Sequence, residues 1–292
     1  MATPRMLAST GPMFARPLDW SLGVIRDAGY DGAELMVTQD PTSQDAAKVA
    51  ELAEREGCAV PAVHGPFLLL TRRVFGTDLI EKARRSLELA AELHADVMVV
   101  HPPFRWQAQF HNWLLHDSDG EAAEHGTRVG VENLYPVRLG KRPVRFHRYT
   151  APEHLTPFSH VVLDTSHFGV GGEDIVHAWD LLRETAVHLH ISDNRGQGRD
   201  SHAPLGHGVL PIASFLHRVG ADTRGNVSIT MELDCRRYLD DRAALVGYLR
   251  QERQKCLALL DGESSEEVLG RPDVVAVAPG AAEDDAHQPT IA

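Results

Sequence analysis

The chain is poor in cysteine, carries fewer basic than acidic residues, and has no long apolar run. Its three cysteines, Cys58, Cys235 and Cys256, are odd in number and lack C-x-x-C spacing, which argues against a disulfide framework or a thiolate zinc site. Reduced, structural thiols are expected. No apolar stretch approaches the roughly 20 residues needed to cross a bilayer, and the opening MATPRMLAST lacks the apolar core of a signal peptide. A cytoplasmic, non-membrane protein is expected. Lysine and arginine total 29 against 41 aspartates and glutamates, a formal charge of −12. From Gly262 onward seven acids oppose Arg271 alone, so the tail accounts for −6 and the preceding body for the other −6. A body of that sign repels a phosphate backbone, which weighs against nucleic acid as a partner.

What the chain does have is a repeating alternation. Eight short runs rich in Val, Ile, Leu and Ala recur: RMLAST, DGAELM, AVPAVH, DVMVVH, RVGVEN, HVVLDT, VHLHIS and VSITME. They are continuous rather than alternating, the pattern of strands buried on both faces. Helical periodicity marks 42–56, 77–94, 173–185 and 240–260. Thr42 and Asp78 sit where N-caps belong and Gly57 where a helix stops. Strands alternating with helices predict an α/β fold, a single (β/α)8 TIM barrel over 1–261. The alternative, a doubly wound open sheet, loses support because no G-x-G-x-x-G follows the first strand. Residues 262–292, rich in Gly, Pro, Ala and acid, are expected to form a flexible acidic tail. The segment 136–150, with Arg138, Lys141, Arg142, Arg145 and Arg148, is the one basic patch and reads as a solvated loop or a phosphate clamp.

Seven of the eight runs close on a residue that can bind metal or move protons: Glu34, His64, His101, Glu132, Asp164, His190 and Glu232. In a barrel the C-terminal strand ends surround one cavity. Any one of these could be a hydrogen-bonded core residue; together they suggest a site. Asp164 and His167 stand three apart in LDTSH, and Asp200 and His202 sit in the glycine-bounded loop RDSHAPLGHG beyond His190. In an extended segment Asp-x-His brings a carboxylate and an imidazole to one side. Imidazole and carboxylate donors without thiolate suit Zn, Mn, Fe or Co, with Mg a weaker fit.

In order, GYDGAEL, AVHGPF, VVHPPF, VGVEN, LDTSH, HISDN, DSHAPLGHG and TMEL resemble the xylose-isomerase-like barrel superfamily over about residues 6–260. That group contains sugar and sugar-phosphate isomerases and epimerases and the endonuclease IV type of apurinic-site nuclease (AP endonuclease family 2). The nuclease resemblance implies nine zinc ligands at His64, His101, Glu132, Asp164, His167, His190, Asp200, His202 and Glu232. The epimerase resemblance implies one divalent metal held by Glu132, Asp164, His190 and Glu232, with Glu132 and Glu232 as the catalytic acid/base pair. The reaction so implied is proton transfer through a metal-stabilised enediolate on a small sugar or polyol. Where the nuclease continues Pro-Gly-Ser after the fourth-strand histidine, His101 here is followed by Pro102, Pro103, Phe104, Arg105 and Trp106. Phe67, Phe104 and Trp106 are candidates to cover a sugar face, though loop packing explains them equally well; Glu34 and Arg199 complete the expected substrate-binding set. His207 replaces the usual loop glutamate, and Asp193 either orients an imidazole or caps the turn at Asn194. The same barrel hosts dehydratases and iron-dependent oxygenases, and a non-catalytic metal- or sugar-binding barrel is a further alternative. A homo-oligomer is compatible with the sequence.

Overall fold

The computed structural model describes residues 4–67, 71–139, 142–144, 146–147, 149–222 and 227–273. Ten strands are present among them: β1 (Met6–Ser9), β2 (Gly32–Met36), β3 (Ala62–His64), β4 (Val97–Val100), β5 (Arg128–Glu132), β6 (Val137–Leu139), β7 (Arg142–Val144), β8 (Val161–Asp164), β9 (Ala186–Ile191) and β10 (Ser228–Met231). Eight of them close a parallel barrel in the order β1-β10-β9-β8-β5-β4-β3-β2, with a register shift between β8 and β9 at Val161/Val162. All eight apolar runs supply a barrel strand. Their residues are buried almost throughout, as a sheet enclosed by its own interior and an outer ring of helices requires.

The ring is formed by α1 (Leu18–Asp27), α2 (Ala46–Glu56), α3 (Leu79–Glu92), α4 (Ala108–His116), α5 (Ser118–Glu124), α6 (Thr165–Gly171), α7 (Ile175–Leu182), α8 (Ile212–Ala221), α9 (Arg242–Leu260) and α10 (Ser265–Leu269). Asp78 caps α3 by accepting from the Glu81 N–H, and Gly57 ends α2 at a positive φ of 64°, as their positions predict. Thr42 does not cap α2. It lies in a short 3-10 turn, Pro41–Gln44, and the cap is Asp45, whose carboxylate accepts from the Lys48 N–H at 3.0 Å. Asp45 itself, extended at φ −114° and ψ 105°, separates that turn from the helix.

One βα repeat is replaced. Among the described residues between β5 and β8 are the antiparallel hairpin β6–β7 and a 3-10 turn, Pro152–His154. Prolines at 136, 143 and 152 interrupt any helical run through this segment. The loop expected at 136–150 therefore contains a hairpin; the side chains of Arg138, Lys141, Arg142, Arg145 and Arg148 lie outside what is described.

The tail expected from 262 carries structure as far as residue 273. Helix α10 packs Leu269 near Gly206, Arg271 reaches Asp193 at 3.2 Å, and Asp273 accepts from the Ser214 N–H at 2.7 Å in the first turn of α8. Residues 274–292 lie outside the described residues. No described helix is long and apolar enough to cross a membrane.

Candidate metal and catalytic centre

The barrel delivers its polar strand ends to one point. Glu34 stands in β2, His64 ends β3, His101 follows β4, Glu132 ends β5, Asp164 ends β8, His190 lies in β9 and Glu232 follows β10. Asp164 also caps α6, its Oδ1 accepting from the His167 N–H at 2.8 Å, which turns His167 back over the strand ends. The loop after β9 brings Asp200 and His202. His202 holds a positive φ of 38°, and its carbonyl accepts from the Asp234 N–H at 2.9 Å.

Glu132 is the hub. Its Oε2 lies 3.0 Å from His101 Nε2 and 3.3 Å from His64 Nε2; its Oε1 lies 2.9 Å from His190 Nδ1 and 3.4 Å from His167 Nδ1. His190 Nδ1 is also 3.3 Å from Glu232 Oε2 and 3.8 Å from Asp164 Oδ2. His167 Nε2 reaches Asp200 Oδ2 at 3.3 Å, and His202 Nε2 reaches the same oxygen at 2.7 Å. All nine expected ligand residues thus form one connected network of four carboxylates and five imidazoles.

Potential ligand atoms cluster in three groups: Glu132, Asp164, His190 and Glu232; His64, His101 and Glu132; and Glu34, His64 and His190. A decisive detail is Asp164 Oδ2, a buried carboxylate oxygen without a hydrogen-bond partner. Such an atom is costly unless something satisfies it, and its surroundings of nitrogen and oxygen donors fit a divalent cation.

The charges are strongly coupled. Burial works to raise the Glu132 carboxyl, but His190, His167 and His101 hold it well below the usual carboxylate range. Burial dominates at Asp164 and, with Asp200 and Glu132 nearby, pushes it up to about 6. Burial disfavours the charged imidazoles, yet the surrounding carboxylates keep His190 and His167 well above the ordinary histidine value and raise His202 to about 9. At His101 burial prevails and the value falls.

A family model described as xylose isomerase-like TIM barrel matches residues 22–252. The chain belongs to the xylose isomerase-like TIM barrel family. An uncharacterized protein of Mycobacterium leprae (strain TN) is 31% identical over 239 residues, covering 75% of this chain and 85% of that protein. Among solved structures, the IolI protein with a bound zinc atom superposes with a TM-score of 0.69 at 13% identity, covering 87% of this chain and 98% of that one. L-ribulose 3-epimerase gives 0.65 at 16% identity over 89% and 95%. A D-tagatose 3-epimerase-like protein gives 0.61 at 20% identity over 86% and 99%. At these identities the structural likenesses bear on the fold.

Around the centre of this xylose isomerase-like barrel, the expected substrate contacts separate. Glu34 is enclosed, 1% exposed, and its carboxylate is taken by His188, His190 and Thr230 at 2.8, 3.1 and 2.7 Å. That carboxylate is taken up inside the barrel, where it belongs to the third candidate ligand group with His64 and His190. Arg199 is exposed and reaches Gln197 at 3.4 Å. Phe67 stacks on Phe110. Phe104 lies between Trp106 and His147, with ring centroids 4.9 and 4.3 Å away, and Trp106 is 66% exposed. The open groove Trp106 lines, between the starts of α3 and α4, contains none of the nine candidate ligands.

Asp193 serves the turn. Its buried carboxylate accepts from the backbone N–H groups of Asn194, Gly208 and Leu210 and from Arg271. His207 is exposed. Three contributors escaped the sequence reading. Asn133 donates to the Asp164 carbonyl and accepts from the Asp164 N–H. Tyr135 places its ring 4.9 Å from His167. His188 was detectable, since it stands two residues before His190 and shares its side of the strand.

Proposed function

We propose that this protein is a divalent-metal-dependent isomerase or epimerase of a small sugar or sugar phosphate. The observation that carries the reading is the convergence of two glutamates on one imidazole atom: Glu132 Oε1 and Glu232 Oε2 lie 2.9 and 3.3 Å from His190 Nδ1, beside the unpartnered Asp164 Oδ2. Glu132, Asp164, His190 and Glu232 would hold the cation, which supplies Lewis-acid polarisation of a carbonyl and its neighbouring hydroxyl.

The glutamates supply the proton chemistry. Glu232, with 13% of its side chain exposed against 1% for Glu132, is the one a substrate reaches first, and it takes the proton from the carbon next to the carbonyl. Glu132, ionised at rest, would return a proton passed to it by the neighbouring His167 imidazolium 3.4 Å away, to the opposite face for epimerisation or to the adjacent carbon for isomerisation, and the proton left on Glu232 resets the site. Two carboxylates fixed in one site replace a bimolecular encounter. Phe67, Phe104 and Trp106 are offered as the apolar side of the entrance.

Metal analysis of protein purified without added metal or chelator, followed by a panel of aldoses and ketoses in D2O, tests this reading. Metal-dependent solvent deuterium uptake is expected, lost in Glu232→Gln by about 10²–10⁴-fold. Metal-loaded protein that exchanges no proton on any member of the panel would count against it. A second reading, endonuclease IV-like cleavage of abasic DNA, draws on the extra donors His64, His101, His167, Asp200 and His202, which exceed what one ion needs. Two or three ions per chain with abasic-strand cleavage would favour it.

A further inference from the structure

One pleat deeper than the candidate ligands, toward the N-terminal ends of the strands, lies a second polar layer. Ser228 pairs with His188 and Thr230 with His190 across β9 and β10, and Glu34 reaches them from β2. His188, Glu34, His190 and Thr230 are all at most 1% exposed. His190 Nε2 is 3.1 Å from each Glu34 oxygen, His188 Nε2 is 2.8 Å from Oε2, and Thr230 Oγ1 is 2.7 Å from it. His188 Nδ1 lies 2.6 Å from Ser228 Oγ.

We propose that Glu34 and His188 are positioning residues for the metal centre: they keep the His190 proton on Nε2, so that Nδ1, which faces Glu132, Asp164 and Glu232, is the nitrogen that gives up its proton to a cation. The inference rests on the reading of those residues as the metal-binding group, and deepens it. A carboxylate only accepts, so the two imidazole nitrogens and the hydroxyl that converge on Glu34 must all donate. The same rule makes His190 Nδ1, 2.9 Å from Glu132 and 3.3 Å from Glu232, a donor while no cation is bound; with Nε2 kept protonated by Glu34, Nδ1 is the nitrogen whose lone pair a cation takes. A neutral imidazole that donates from Nε2 carries its lone pair on Nδ1, which makes His188 Nδ1 an acceptor, with the Ser228 hydroxyl as donor. His188 thereby anchors the carboxylate that orients His190. A carboxylate behind a ligating imidazole fixes its orientation and strengthens it as a donor.

The test uses the full chain. In zinc-loaded, 15N-histidine-labelled protein, long-range 1H–15N correlation should show the His190 ring with a proton on Nε2 and zinc on Nδ1. Zinc affinity, read by competition with a chromophoric chelator, should fall about 10–100-fold in Glu34→Gln and in His188→Gln, and less in Glu34→Asp, which keeps the charge. Zinc on Nε2 overturns the proposal, as does wild-type affinity in both Glu34→Gln and His188→Gln. Should those variants fail to fold, the ring spectrum of the wild-type protein decides alone. A wild-type chain that binds no zinc overturns both this inference and the reading beneath it, whereas zinc bound through Nε2 overturns only the inference.

Discussion

Gly208 presses its backbone against the buried carboxylate of Asp193: its N–H donates to Oδ2 at 2.8 Å, and a Cβ at this position would stand 2.2 Å from Oδ1 and 2.3 Å from the Asn194 carbonyl oxygen. Neither neighbour is the loose end of a flexible chain. Gly208→Ala must therefore push the 199–208 loop off its anchor, at a cost of about 1–3 kcal/mol. Because that loop carries Asp200 and His202, the strain reaches the centre. Urea denaturation should show the loss of stability, and a variant as stable as the parent would show that Asp193 does not hold the loop.

Arg271 completes the same anchor from beyond the last barrel helix. Its guanidinium meets an Asp193 oxygen 3.2 Å away, where the carboxylate is fully buried. Three backbone donors already serve that carboxylate, so removing the arginine weakens rather than strands it. Arg271→Ala is expected to cost about 1.5–3 kcal/mol, the range for a hydrogen bond to a charged group. A thermal melt unchanged by the substitution would mean that the Arg271–Asp193 contact adds nothing to the barrel's stability.

Much of this architecture is legible in the residues, and the parts that are not share a cause. Barrel strands buried on both faces announce themselves as continuous apolar runs, and ligands placed at strand ends inherit that clarity: His64, Glu132 and Asp164 could be located by counting to the end of a run. Features set by long-range partners leave no local mark. Arg271 reads as a tail residue until Asp193, 78 positions earlier, is seen to receive it. Glu34 stands within its strand, two residues before its end at Met36, and two imidazoles and a threonine on β9 and β10 occupy it; only the closed barrel brings them together. The hairpin β6–β7 was masked by the basic residues around it.

Lys82 offers a test of the rim rather than the floor. Its side chain is 1% exposed, and Nζ donates to the carbonyls of Pro66, Thr71 and Arg72 at 3.0, 2.9 and 3.2 Å. One ammonium thus ties α3 to both ends of the loop that follows His64. Lys82→Met keeps the apolar stem and leaves three carbonyls without their donor, with an expected loss of about 1–3 kcal/mol. Hydrogen exchange should rise in residues 65–75 and stay unchanged in β8 and β9; uniform change across the barrel would contradict a local clamp.

Protonation and metal binding should oppose one another. Asp164 is raised from its usual value of 3.8 to about 6, and His190 is held well above 6.5. Both folded-state values exceed the unfolded ones, so the metal-free fold binds extra protons and their contribution to stability is lost as pH rises: through about 6 for Asp164, and higher for His190. A cation needs these same groups deprotonated, which gives its affinity the opposite slope. At pH 7.5 His190 should release a proton on metal binding; toward pH 6 Asp164 should add part of a second. Calorimetric titration in buffers of different ionisation enthalpy counts those protons. A release that does not grow as pH falls from 7.5 to 6 would place the metal elsewhere than at Asp164 and His190.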